Sequence, residues 1–176
     1  MLVGSNNLSI AQLLSLAWTM TTLGSCQTQV PNTGGANLQG ANLEYCNLSG
    51  YNLSGDNLQN ANLQYTDLQN ANVQGANLKG ANLANTFANA ASFQGANLQT
   101  ASLAGGTAQG ANFQSANLQG ASLKGGTFTN ADFRSANLQS SDMSYGDFSY
   151  ANFTGANTQG AITTGATFTG ATNPPT

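Results

Sequence analysis

From Ala36 onward the chain repeats one five-residue pattern. A small residue is followed by a position that is nearly always Asn, Ser, Thr or Asp, then by Leu or Phe, then by two positions that are mostly polar or glycine. The apolar central position falls at 38, 43, 48 and every fifth residue to 173, giving 28 pentads without an insertion. Leu fills 14 of these and Phe seven, while Ala fills 19 of the small positions two residues earlier. A fixed short period kept over such a length marks a solenoid, in which each repeat buries its apolar side only by stacking on its neighbours.

A longer period lies over the short one. Sorting the central residues by every fourth pentad gives four columns of different character. The first runs Leu38, Leu58, Leu78, Leu98, Leu118, Leu138, Thr158, and the second also carries Leu from Leu43 to Leu123 before Met143 and Thr163. The third reads Leu48, Leu68, Ala88, Ala108, Phe128, Phe148, Phe168, and the fourth Leu53, Val73, Phe93, Phe113, Phe133, Phe153, Asn173. Phe is confined to two columns, so the coil holds twenty residues. Gly106, Gly126 and Gly146 stack in the small position of the third column, where a missing Cβ makes room for neighbouring rings in a close-packed interior.

The pentads Ala36-Asn37-Leu38-Gln39-Gly40 and Ala116-Asn117-Leu118-Gln119-Gly120 match the A-(N/D)-L-x-x motif almost letter for letter. The chain therefore resembles the pentapeptide-repeat family over about four fifths of its length. The resemblance implies an all-β solenoid, a right-handed quadrilateral β-helix of about seven coils with four pentads to a coil, the Ala and Leu/Phe side chains inside. Stacked at ~4.8 Å per coil, seven coils make a rod of roughly 34 Å. The domain reading is a helical cap and linker over residues 1-35, then a β-helix with a short tail over 36-176. Leu38, Leu58, Leu78, Leu98, Leu118, Phe93, Phe113, Phe133, Phe153, Phe128 and Phe148 form its expected core.

The first 35 residues follow another pattern. Ser9-Ile10-Ala11-Gln12 reads as a capping box, Leu8 and Leu13 as a hydrophobic staple, and Ile10, Leu13, Leu14 and Ala17 as an apolar helical stripe that Gly24 can end. Such a helix is expected to cover the open end of the first coil, since exposed strand edges invite unwanted pairing. The same run has some character of a signal segment, and Leu23-Gly24-Ser25-Cys26 faintly resembles a lipoprotein processing site. No Lys or Arg precedes Lys79, however, and polar residues interrupt a run too short to span a bilayer, so a retained cap is the favoured reading over an exported or lipid-anchored form.

Composition removes most chemistry. The chain has no His, only three basic and six acidic residues, and many hydroxyls without a base to activate them. No catalytic, cofactor or metal site is expected, and no nucleic-acid-binding patch is available. Glu44, Asp67, Asp132, Asp142 and Asp147 fall at outward positions as solvated carboxylates. Asp56 and Tyr51 stand where Ala is expected, and a buried Asp56 needs a polar contact. Cys46 takes an inward position as a small hydrophobe, and a bond to Cys26 would staple cap to solenoid.

What remains is surface. The first column carries Asn77, Asn97, Asn117 and Asn137 in one row and Gln99, Gln119 and Gln139 in another, which reads either as amide ladders stabilising stacked coils or as a flat neutral docking face. Tyr45, Tyr65, Tyr145 and Tyr150 fall outward, and aromatics are favoured interface anchors. Phe87 is in an outward register unless it exchanges places with Ala88. Thr158, Thr163 and Asn173 replace apolar central residues near Pro174-Pro175, leaving the last coil for a partner or a second copy to cover.

The leading expectation is a non-catalytic structural or protein-binding rod with a protein partner or its own copies. Its specific form is an accessory or cement component on a phage capsid lattice, placed in the virion or host cytoplasm, with no membrane role. The alternatives are the family's topoisomerase-inhibiting DNA mimic, a cyanobacterial regulatory or thylakoid-associated scaffold, and an ice- or surface-binding protein.

Overall fold

The computed structural model describes residues 30–175; the expected helix within 10–24 and the Cys26 half of the proposed staple lie outside them. Each pentad from 36 to 170 forms the same unit: two inward residues, one on either side of a bridge residue, then a two-residue turn. The turn is closed by a hydrogen bond from the next small residue to the central carbonyl, as in Ala41 N–H to Leu38 O at 3.0 Å. Four such turns bring the chain back over itself, and parallel bridges join residues twenty apart throughout.

The coil therefore has four faces, each named here by its bridge row. Face 1 carries Asn37 to Asn157, face 2 Asn42 to Ile162, face 3 Asn47 to Thr167 and face 4 Asn52 to Thr172, each in steps of twenty. Between coils the bonding is nearly uniform: each central N–H donates to the bridge carbonyl of the following coil, as Leu58 to Asn77 at 2.8 Å. Backbone groups that would be costly to bury unpaired are thus satisfied coil by coil.

The core is one narrow column of side chains. Central and small residues are buried from Ala41 to Phe153 except the half-buried Tyr51, and all eleven expected core residues lie in the column. Phe93, Phe113, Phe133 and Phe153 form one ladder with ring centroids 4.9 to 5.0 Å apart. Phe128, Phe148 and Phe168 form a second, at 5.1 and 5.4 Å. The two ladders meet at about 6 Å with tilted rings, the offset geometry that aromatic quadrupoles favour. A Cβ at Gly126 or Gly146 would stand 2.6 Å from Cε2 of the adjacent Phe128 or Phe148, so these glycines make room for the second ladder.

The ends differ from the middle. Val30 is buried against the first coil, and Cys46, 2% exposed, is disulfide-bonded rather than a free thiol. Asp56 is fully buried beneath the entry segment, and its Oδ1 accepts the Ala36 N–H at 2.7 Å. Burial pushes its carboxyl above the ordinary value, an effect moderated by the Ala36 and Gly35 amides. At the other end Ala156, Ala161, Ala166, Phe168 and Ala171 are only partly buried, and Thr158 and Thr163 share that exposure. Their polar side chains suit a coil open to water.

Candidate interaction surface

The corners decide which side chains can be displayed. The second turn residue, at 40, 45, 50 and so on to 170, has positive φ at all 27 positions, which with the turn hydrogen bond defines a type II turn. Glycine fills 14 of these corners and Asn four, the residues that tolerate a left-handed conformation. A bulky side chain there costs about 1–2 kcal/mol. Tyr45, Tyr65, Tyr145 and Tyr150 nevertheless occupy such corners, with φ of 56 to 60°.

Those four tyrosines flank one face. Tyr45, Tyr65 and Tyr145 lie on the corner between faces 2 and 3, and Tyr150 on the corner between faces 3 and 4. Each is exposed, from 40% at Tyr65 to 64% at Tyr145. Phe87, 48% exposed, projects from the bridge row of face 3 itself. The alternative exchange with Ala88 does not occur: Asp67, Phe87 and Thr107 pair in unbroken register while Ala88 stays buried. Backbone bonding to both neighbouring coils holds that register. All five large exposed aromatics among the described residues therefore belong to face 3 or its edges; the sixth large exposed apolar side chain, Ile162, is on face 2.

The rings are supported. Tyr45 and Tyr65 stack with centroids 5.1 Å apart and planes 5° from parallel. A Cβ at Gly165 or Gly170 would fall 2.6 to 2.8 Å from the Tyr145 or Tyr150 ring, so each ring rests on a glycine of the last coil. Between Tyr65 and Tyr145 the border carries the small residues Ala84, Ala104, Gly105 and Gly125 together with Asn85 and Lys124. Beneath that middle lies an apolar void large enough for about one water molecule, bounded by Leu83, Ala88, Phe93, Leu103, Ala108 and Phe128. It exists because two alanines stand between the Leu and Phe stretches of the third column.

Charge is uneven as well. Glu44, Asp67 and Asp147 lie on face 3 or its edge, and Lys124 is the one basic residue there. The Lys124 ammonium stands 5.8 Å from the Tyr145 centroid. On face 2, the Ser144 hydroxyl and amide together with Lys124 hold the Asp142 carboxyl below its ordinary range. On face 4, Asp132 is paired with Arg134, whose Nη2 lies 2.6 Å from Oδ2, and this lowers the Asp132 carboxyl. The reading of Asp132 as a merely solvated carboxylate is thereby corrected, because the turn puts its bridge residue beside the next side chain but one.

Face 1 is organised differently. Asn77 Nδ2 donates to Asn57 Oδ1 at 3.2 Å, and Asn97 Nδ2 donates to Asn77 Oδ1 at 3.2 Å. The same Asn77 oxygen accepts the Lys79 amide at 3.3 Å, two residues on. Asn137 donates to Asn117 at 3.3 Å and Asn157 to Asn137 at 3.4 Å, while no side-chain bond joins Asn117 to Asn97. The asparagine amides thus spend most of their capacity on the rod. Outside them, Gln99 Nε2 donates to Gln119 Oε1 at 3.1 Å, while Gln139 lies beside Gln119 one coil on, and only its backbone amide bonds to Asn137. Sequence reading named Phe87, Tyr145 and Tyr150 but not the single face they share with Tyr45, Tyr65, Asp67 and Asp147. The signal was present: Tyr45, Tyr65 and Tyr145 differ by multiples of twenty.

No group of His, Cys, Asp and Glu able to hold a metal occurs among the described residues, and no helix among them is long and apolar enough to cross a membrane. The geometry is that of a β-solenoid displaying fixed side chains on flat faces. The chain belongs to the pentapeptide-repeat family: eight copies of the repeat match across residues 36–75, 71–107, 111–144 and 147–172, and the fold is its right-handed β-helix.

Among solved structures, a trypsin-treated form of QnrB1, a plasmid-mediated fluoroquinolone resistance protein, is 21% identical with a TM-score of 0.51, covering 77% of this chain and 72% of that one. HetL, a pentapeptide repeat protein involved in heterocyst differentiation regulation in Nostoc sp. strain PCC 7120, is 28% identical over 79% of this chain and 75% of its own, with a TM-score of 0.43. A pentapeptide repeat protein of the Arabidopsis thaliana thylakoid lumen is 24% identical over 70% of this chain and 66% of its own, with a TM-score of 0.30. Comparison with curated proteins gives no match.

Proposed function

We propose that this chain is a non-catalytic protein-binding rod that docks through face 3 onto a larger assembly. The observation that carries the reading is the gathering of Tyr45, Tyr65, Phe87, Tyr145 and Tyr150 on one face and its edges, four of them at corners that penalise a bulky residue. Exposed aromatics add little to a monomer's stability, but they supply large contact area at low entropic cost in an interface. An accessory or cement subunit on a capsid lattice is the specific form we favour: seven stacked coils give a stiff body that holds these side chains at fixed spacing.

The competing readings draw less support. A DNA mimic needs a dense acidic rod, whereas Asp56 is buried, Asp132 is paired, and the remaining four acids are spread over faces 2 and 3. An ice-binding plane needs a regular flat row, whereas face 3 interrupts Thr107, Thr127 and Thr167 with Asp147 and carries a projecting Phe87 beside Thr107. Sedimentation of extracts from the natural source tests the proposal. The wild type should travel with a large particle or complex, and Phe87→Ser with Tyr145→Asn should release it. A wild type that stays monomeric and unattached would sink the reading.

A further inference from the structure

Resting on that docking face, the chemistry of its occupant can be narrowed. We propose that face 3 takes an extended, arginine- or lysine-bearing polypeptide segment, laid along the rod from the Tyr45–Tyr65 pair to Tyr145 and Tyr150.

Charge complementarity favours a cation. Glu44, Asp67 and Asp147 face Lys124 alone on this side, whereas the acids elsewhere on the surface have basic neighbours: Asp132 has Arg134, and Asp142 has Lys124. Asp67 Oδ1 is occupied by the Gln69 amide at 2.9 Å and Asp147 Oδ1 by the Ser149 amide at 3.0 Å. No bond within the described residues engages their second oxygens. Exposed tyrosine rings attract ammonium and guanidinium groups through their quadrupole, and guanidinium planes stack on them as well. The protein already shows the mode once, in the Lys124 ammonium placed 5.8 Å from the Tyr145 centroid.

The shape favours an extended occupant. Tyr45 and Tyr145 are five coils apart, roughly 24 Å at the spacing of stacked strands. About eight residues of extended chain cover that distance. The border between them falls to Ala84, Ala104, Gly105 and Gly125, low enough for a backbone to lie close; Asn85 and the exposed Lys124 also stand on it, and the Lys124 ammonium is held towards Tyr145. Acidic and aromatic groups recur along that line: Glu44 with Tyr45, Tyr65 with Asp67, and Tyr145 with Asp147 and Tyr150. Alternate cationic side chains of one strand meet such a row without folding back.

The test titrates full-length protein with a ten-residue peptide alternating arginine and glycine, and with its citrulline counterpart, which keeps the shape and removes the charge. Amide chemical shifts locate the contact. The arginine peptide should move Asp67, Phe87, Thr107 and Asp147 and bind at least tenfold more tightly than the citrulline peptide. Tyr65→Asn and Tyr145→Asn, which place a corner-tolerant residue at each site, should each weaken binding at least fivefold with unchanged melting, whereas Gln119→Ala should leave it unaltered. No binding by the arginine peptide, or equal binding by both peptides, overturns the cationic occupant and leaves the docking face standing. Shifts that fall on Asn97 and Gln119 instead, or Tyr variants that bind like the wild type, overturn the face assignment itself.

Discussion

Faces 1 and 3 stand on opposite sides of one rod, share one backbone, and use their outward positions in opposite ways. On face 1 the asparagine side chains bond along the axis and back to their own turns, so the polar surface is largely closed on itself. On face 3 the bridge row changes from Asn to Asp, Phe and Thr, its edges carry tyrosines against the preference of the corner, and three acids meet one base. A solenoid can separate the two tasks because inter-coil bonding and inward packing are the same on every face. One face is then free to hold the coils together while another departs from the repeat.

The largest effect should come from the core that supports both. Phe133 stacks on Phe113 and Phe153 and leans against Phe128 and Phe148, so Phe133→Ala opens a cavity that neither ladder can close. A loss of about 3–5 kcal/mol is expected in denaturant melts. A loss under about 1 kcal/mol would mean that the ladders are not packed as described. The comparison itself is sharpened next. Asn77→Ala removes two ladder bonds and a turn bond from face 1 and should cost about 1–2 kcal/mol, whereas Thr127→Ala in the equivalent row of face 3 should cost under about 0.5 kcal/mol. Equal costs would dissolve the distinction between a bonded face and a displayed one.

Acidification separates the charged groups by sign. The Asp56 carboxyl is raised by burial, so the folded chain holds its proton more tightly than the unfolded chain. Its contribution is complete below the ordinary carboxyl value and is lost as pH rises through the raised one. Asp132, lowered by Arg134, contributes above the ordinary value and loses that contribution as pH falls through its lowered one. Melting curves from neutral to acid pH should therefore shift in favour of the wild type over Asp56→Asn, and against the wild type relative to Asp132→Asn. Parallel curves for either pair would contradict the environments assigned to these groups.

The smallest predicted effect says most about face 3. Tyr145→Asn trades a strained corner and a ring on Gly165 for a corner-compatible residue, so the melting temperature should move by no more than about 3 °C. A fall well beyond that would assign Tyr145 to the fold instead of to a partner.

Much of this was legible without coordinates. Leu and Phe at every fifth residue fixed inward and outward, and the sorting of Phe into two columns fixed the twenty-residue coil, because stacked rings must occupy the same side of successive coils. The stacking of Gly126 and Gly146 beside Phe128 and Phe148 followed from volume alone. The positive φ of every corner was hidden, since 13 of the 27 corners are not glycine and only the closed turn imposes the conformation on them. Without it, Tyr45 and Tyr145 are merely outward tyrosines. The chain's order of residues determined the period, the coil and the core, which depend on spacing along one dimension. Only the tertiary structure decided that Phe87 keeps its outward register, that the asparagines of face 1 satisfy one another, and that tyrosines a hundred residues apart share one border, because these depend on bonds and corners formed when coils lie on top of each other.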